Sequence, residues 1–508
     1  MIFRSLVLAV VFAVVAICPA AAQKAKDALR YAVSDPIKLL STYQFPSRDA
    51  SFFARDIYST LITYREKDQM FSPALAKSWK RVGPTTLEFD LRDDVTFHNG
   101  NKFDADDVVH TLAWIGDPKT KMPFKNVYDW VKAVEKLGPY KVRVESNEVL
   151  ALDLIRMAYR FEIYDKETQS ALRDWSDYGR LAVGTGMYRL ARFDDNLGLL
   201  LRRNEDYKLG RKAPFGAVAG VPIPDRSTQI AQIMVGGVEA IQDVTPDQMK
   251  QLMDNPKLAY SEADGSDMMF FNLDAANRSG VMKPLTDVRV RKAIVMSIDR
   301  ETIVKTLSPG GPNTKTLPAL CRKELMGCDF SIEAYRYDPA EAKRLMIEAG
   351  YPNGFDIEIA ARPPSEAVAV AMSGYLRAIN VRATVQVLPL TVVRKRRGDG
   401  SLQAYVGELP ASSLPDVSNT VNIMYGPLVN DFWRDQQLRD WMDQGIVEQD
   451  LEKRKAIYRR LYDRINEMAY AMPVSTFPDS IIHTKEVAVT LEAENVFSIR
   501  LHDLHWAK

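Results

Sequence analysis

The stretch Thr86-Leu87-Glu88-Phe89-Asp90-Leu91-Arg92-Asp93-Asp94-Val95-Thr96-Phe97-His98-Asn99-Gly100, continued by Asp104-Ala105-Asp106-Asp107-Val108-Val109, decides the reading of the fold. Leu87, Phe89 and Leu91 alternate with Glu88 and Asp90, the pattern of a half-buried strand whose acids face water. Asn99-Gly100 is a turn signal, because asparagine and glycine accept the backbone angles that tight reversals need. Asp104 then predicts a helix N-cap, with Asp107 three residues on to return a hydrogen bond. Val108, Val109, Leu112 and Ala113 supply that helix with its apolar stripe. Strand, turn and capped helix in direct succession indicate mixed α and β structure.

The same alternation continues outward. Asp338-Pro339 opens a second helix, with Glu341 completing a capping box and Gly350 ending it. A third begins near Asp287 and buries Val290, Ala293, Ile294 and Ile298. A fourth covers Leu451–Met468, with Ile457, Leu461 and Ile465 at helical spacing. Between them lie strand-like runs at Leu197–Leu201, Phe355–Ala360, Ala383–Leu388 and Tyr405–Val406. The expected class is α/β, with largely covered sheets. A chain of 508 residues exceeds one hydrophobic core, so two or more lobes are expected.

Charge and leader narrow the class further. The chain has 67 Lys+Arg against 66 Asp+Glu, without the basic excess of a nucleic-acid binder. Arg4, the apolar run Leu6–Ile17 and Pro19-Ala20-Ala21-Ala22 have the plan of an export signal, cleaved after Ala22. The run, about 12 residues, is too short for a bilayer. A lipid anchor at Cys18 fits less well, since bulky Ile17 precedes it. Without the leader the remaining thiols are Cys321 and Cys328, which in an exported protein read as a local disulfide. A nucleophile elbow, a zinc-protease His-Glu pair, a Walker loop and a Cys-x-x-Cys are all missing, so no enzyme, resident metal or cofactor is expected.

Several segments together resemble the extracellular solute-binding proteins of family 5, the oligopeptide-, dipeptide- and nickel-binding receptors of ABC importers. They are Ser72–Trp79, Arg92–Gly100, Asp104–Val109, Gly184-Thr185-Gly186-Met187-Tyr188, Arg203-Asn204-Glu205-Asp206-Tyr207, Phe271-Asn272-Leu273, Asp287–Ala293, Ile298-Asp299-Arg300, and Tyr337-Asp338-Pro339 through Phe355. The resemblance implies a bilobal periplasmic-binding-protein fold, type II-like, with two lobes joined by a hinge and an extra inserted subdomain. After the signal peptide 1–22, lobe I takes 23–45, 165–270 and 479–508, the insert 46–164, and lobe II 271–478. Hinge crossings fall near Phe271-Asn272 and Pro473–Pro478. The implied function is a monomeric periplasmic receptor that encloses a peptide-like or other small polar solute and delivers it to a membrane permease.

Ligand candidates follow the family layout. Tyr405-Val406-Gly407-Glu408-Leu409-Pro410-Ala411-Ser412-Ser413-Leu414-Pro415-Asp416 matches the segment that lies against the ligand in peptide-binding members. The acid that pairs with a peptide's amino group falls here on Ala411 or Ser413, and Glu408 replaces a tryptophan. A buried ammonium without a carboxylate is costly, so Glu408, Ser412 and Ser413 suggest a modified or non-peptide ligand, such as an opine or sugar conjugate. Tyr43, Phe45 and Tyr425 are candidate aromatic walls, and Asp267 and Met268 candidate cleft residues; packing within a lobe is the alternative for each. Arg394-Lys395-Arg396-Arg397 reads as a solvated helix face. His502 and His505 offer a metal-chelate alternative, and a secreted hydrolase is the remaining one.

Overall fold

The computed structural model describes residues 27–508 apart from 35–36, 46, 124, 243, 308–313, 329–331, 334, 410–413, 427–431 and 493–497. The leader, Ser412 and Ser413 thus lie outside the described residues. A ten-stranded mixed sheet organises the chain. Its order is Arg382–Val387, Asp356–Ala361, Ala404–Leu409, Leu258–Leu273, Ala471–Thr484, Ala240–Gln242, Ala28–Val33, Ala217–Pro222, Gly198–Arg203 and Tyr188–Asp194.

The two central strands are much longer than the rest and pair antiparallel along their length. Their register shifts between Ala263 and Asp267. Gly265 makes this break possible: its φ is +66°, and a Cβ there would overlap the Phe477 carbonyl. On one side of the break, Ala471–Thr484 pairs onward to Ala240–Gln242. On the other, Leu258–Leu273 pairs onward to Ala404–Leu409. Two half-sheets therefore share two continuous strands, whose register shifts at Gly265 and again between Met269 and Phe270.

Beyond the bulge both faces of the sheet are covered, and the two-residue strand period assigns side chains between them. Met268 and Phe270 join Tyr405, Leu409 and Tyr458 in one core, whereas Met269, Phe271 and Leu273 join Ile294, Met372 and Val406 in the other. The other half-sheet packs Leu29, Tyr31 and Leu201 against Phe53 of the helix Arg48–Ile57.

The decisive stretch folds largely as read. Thr86–Leu91 lies in a four-stranded antiparallel sheet with Ala76–Gly83, Lys141–Ser146 and Val131–Gly138. Leu87, Phe89 and Leu91 are buried. Glu88, expected in water, is also buried, because Arg143 (2.8 Å), Lys80 and Lys141 close over it. Asp104 caps Ala105–Gly116 with the reciprocal Asp107 bond. Asp338 caps Pro339–Glu348, but Glu341 turns to Arg344 and forms no box. Ile298 lies beyond the helix Val288–Met296, yet packs into the same core. Arg394 and Lys395 are exposed, while Arg396 pairs with Glu358 at 2.6 Å. Among the described residues no helix is long and apolar enough to cross a membrane.

Candidate functional site

The segment 46–164 meets the region beyond the bulge along a mixed seam. Tyr64, Leu152 and Ile155 pack with Leu414, and Met326 and Ile446 lie against them. Ala151 N donates to Ile446 O (3.0 Å), and Gln449 Nε2 to Pro84 O and Leu150 O (3.0 and 3.2 Å). The two segments are in direct contact here.

The helix Asp153–Arg160 runs along this seam. Ile155 and Met157 are buried, whereas Arg156, Tyr159 and Arg160, at i, i+3 and i+4, share another face. Two further arginines approach Tyr159. The Arg55 guanidinium, from the last turn of Arg48–Ile57, lies 5.4 Å from its ring centre, and that of Arg500 lies 5.8 Å away. The Tyr159 hydroxyl donates to Glu66 Oε1 at 2.5 Å, and Arg500 Nη2 reaches the same oxygen at 3.2 Å. Arg500 Nε is buried without a hydrogen-bond partner among the described residues.

These groups strain one another electrostatically. Burial, then Arg500 and Arg160, push Arg55 down to about 10, so it stays charged at neutral pH. Burial also lowers Arg160 and Arg156, with Asp416 opposing it at Arg156 from across the seam. Glu162 is 4% exposed and accepts from Thr42 Oγ1 at 2.8 Å; burial pushes its carboxyl up to about 7. Glu66, Glu162, Asp416, Glu148, Asp153 and Asp503 all act on these four guanidiniums; burial still lowers Arg55, Arg156 and Arg160, whereas Tyr159, Glu66 and Asp503 outweigh burial and raise Arg500. A carboxylate or similar anion entering this wall would be attracted and could be gripped bidentately.

A second polar group sits at the carboxyl ends of Asp356–Ala361 and Ala404–Leu409, where open α/β sheets expose backbone and side chains to a crevice. Arg362 Nη1 donates to Glu408 Oε2 at 2.9 Å. Glu408 Oε1 is buried without a hydrogen-bond partner among the described residues. Beside it, burial and then Glu408 push the Tyr405 hydroxyl up to about 12.

The other residues singled out in the sequence are placed apart. Tyr43 is buried in an aromatic cluster with Trp114, Tyr128 and Tyr164, its hydroxyl donating to Glu162 O at 2.8 Å. Phe45 packs half-buried on the same core. Asp267 is half-buried at the bulge, and Met268 is fully buried. Tyr425 is buried at the end of the helix Val417–Tyr425, its ring tilted 43° to that of Trp433 at 4.7 Å. Cys321 and Cys328 are disulfide-linked, their Cα atoms 5.7 Å apart. His502 Nδ1 pairs with Asp56 at 2.7 Å, while His505 Nε2 meets Thr490 Oγ1 at 3.0 Å, so the two rings do not converge. Arg55, Arg156, Arg160 and Arg500 were not singled out in the sequence; the helical Arg-x-x-x-Arg spacing at 156 and 160 was their one local signal.

The profile of the bacterial extracellular solute-binding proteins, family 5, middle region, matches residues 70–431. The chain belongs to that family, whose members are binding proteins of ABC importers rather than enzymes and are periplasmic. Heme-binding protein A of Haemophilus influenzae is 26% identical over 385 residues, 69% of this chain and 68% of that protein. The dipeptide-binding protein of Escherichia coli is 23% identical over 379 residues, 68% of this chain and 69% of that one. The ABC transporter substrate-binding protein CtaP of Listeria monocytogenes superposes with a TM-score of 0.84 at 18% identity, covering 95% of this chain and 100% of that chain.

Proposed function

We propose that this chain is a periplasmic receptor that encloses a small carboxylate-bearing solute between its lobes and hands it to an inner-membrane permease. The wall of Arg55, Arg156, Arg160 and Arg500 carries this reading, because burial lowers Arg55, Arg156 and Arg160 even with acids nearby, and an anion joining them would offset that cost. A dipeptide and a heme, the ligands in the relatives' names, share a carboxylate as their common chemistry. Glu408 Oε1 supplies the complementary acceptor for a ligand N–H, with Ser412 and Ser413 beside it in sequence. The lobe boundaries at 270/271 and 478/479, the monomeric state and cleavage after Ala22 belong to the same proposal. The bulge at Gly265, near both boundaries, supports a hinge there.

Native mass spectrometry of the exported protein tests the solute class: a co-purified acid is expected, and a neutral or purely cationic solute would refute it. Titration with the acidic dipeptide Glu-Glu is expected to give binding that Arg160→Gln weakens by about tenfold to a hundredfold, the range of one charge-assisted contact. Gln-Gln should bind more weakly to the wild type and be less affected. Equal loss for both peptides would remove the arginine from anion recognition. Unchanged affinity in Glu408→Gln would remove Glu408 from the site.

A further inference from the structure

The loop between Cys321 and Cys328 touches three parts of the molecule at once. Arg322 is 5% exposed, and its Nη1 donates to the carbonyls of Asp264 (2.9 Å) and Gly265, inside the bulge of the long strand. The next carbonyl, Lys323 O, accepts from Gln69 Nε2 at 2.5 Å; Gln69 lies in the turn between Ile62–Arg65 and Met70–Pro73. Met326 exchanges backbone bonds with the segment before Val417–Tyr425: Met326 N donates to Pro415 O at 2.9 Å, and Val417 N to Met326 O at 3.0 Å. The Tyr462 hydroxyl holds the loop's base at Leu320 O, 2.6 Å. Hinge, insert and far lobe are thus linked through one short disulfide-closed loop.

We infer that this loop is a latch coupling the bulge at Gly265 to closure over the insert, and that the Cys321–Cys328 bond keeps it set for the closed form. The inference rests on the reading of the chain as a receptor that closes. The cross-link limits the conformations open to the loop, so Arg322 and Lys323 are held at their partners with little further ordering. A dithiol that passes two electrons and two protons to the bond converts it to two thiols and itself becomes a cyclic disulfide. The loop then regains its freedom, and both contacts weaken together. Access is provided by a groove of about 1000 Å³ lined by Gln69, Cys328, Lys455 and Arg459.

The test needs no ligand, so it stands or falls apart from the solute class. The exported chain is compared oxidised and after dithiothreitol by small-angle scattering and amide exchange. Reduction is expected to enlarge the radius of gyration and to speed exchange in Ile62–Arg65 and Met70–Pro73 by about tenfold or more. Gln69→Ala, a change at a half-buried position that leaves the disulfide intact, is expected to shift both readouts in the same direction. A lower melting temperature on reduction with unchanged radius and exchange would make the bond a local brace and overturn the inference. Opening by Gln69→Ala without opening by reduction would overturn it as well.

Discussion

Asp416→Ala is expected to lower the stability of the chain by about 3–5 kcal/mol, the cost of leaving a buried charge without its partner. Asp416 and Arg454 are 0% and 1% exposed, and they meet through two parallel bonds of 2.6 and 2.7 Å. Arg454 also donates to Gly445 O at 2.8 Å, so its guanidinium cannot swing out to water without breaking the helix junction it spans. The same carboxylate caps Val417–Tyr425 by accepting from Ser418 N at 2.7 Å, and losing a cap adds about 1 kcal/mol. Asp416→Asn, which keeps the cap acceptor but not the charge, should cost less. The double change Asp416→Leu with Arg454→Met should recover much of the loss, since an apolar pair leaves no buried charge behind. Guanidinium unfolding of the three variants checks this order; a loss under about 1 kcal/mol for Asp416→Ala would contradict it.

What the sequence disclosed, and what it did not, follows the reach of the interactions involved. The caps at Asp104 and Asp338 and the stop at Gly350 were legible because their determinants lie within four residues on the chain. Glu88 was misread because the bases that cover it come from neighbouring strands far along the chain. The missing Glu341 bond shows that even a local signal loses to a better partner, here Arg344 one turn away. Tyr43, Met268 and Tyr425 show a different limit. With both faces of the sheet covered, an apolar residue near the expected cleft fits a core as well as a wall, and alternation alone does not tell which. The arginine wall was least legible: it is assembled from residues near 55, 156–160 and 500, and only the helical pair shares a local pattern. The family resemblance ordered the segments correctly, but a shared fold places a cleft without stating its charge.

Glu162 makes that charge dependent on pH. Its carboxyl is pushed up to about 7, first by burial, with the Thr42 bond, Arg55 and Arg160 opposing. In the unfolded chain a glutamate ionises near pH 4.3. Between these values the folded state binds more protons than the unfolded one, so stability falls as pH rises through this window. The contribution is complete below about pH 4, and by pH 8 roughly 3 kcal/mol has been lost. Glu162→Gln should therefore match the wild type in acid and exceed it by up to about 3 kcal/mol at pH 8. The same proton should be linked to the ligand. An acid held by Arg55 and Arg160 repels an ionised Glu162, so binding favours the protonated form, and Glu-Glu affinity should tighten by up to about tenfold per unit as pH falls from 8 to 7. In Glu162→Gln the slope should fall to that of the peptide's own amino group, which ionises at about pH 7.7–8.0, while binding persists because the arginines remain. Unfolding curves and titrations of both proteins at pH 5, 6, 7 and 8 measure the two effects; parallel slopes in wild type and variant would show that this proton is not linked to the solute.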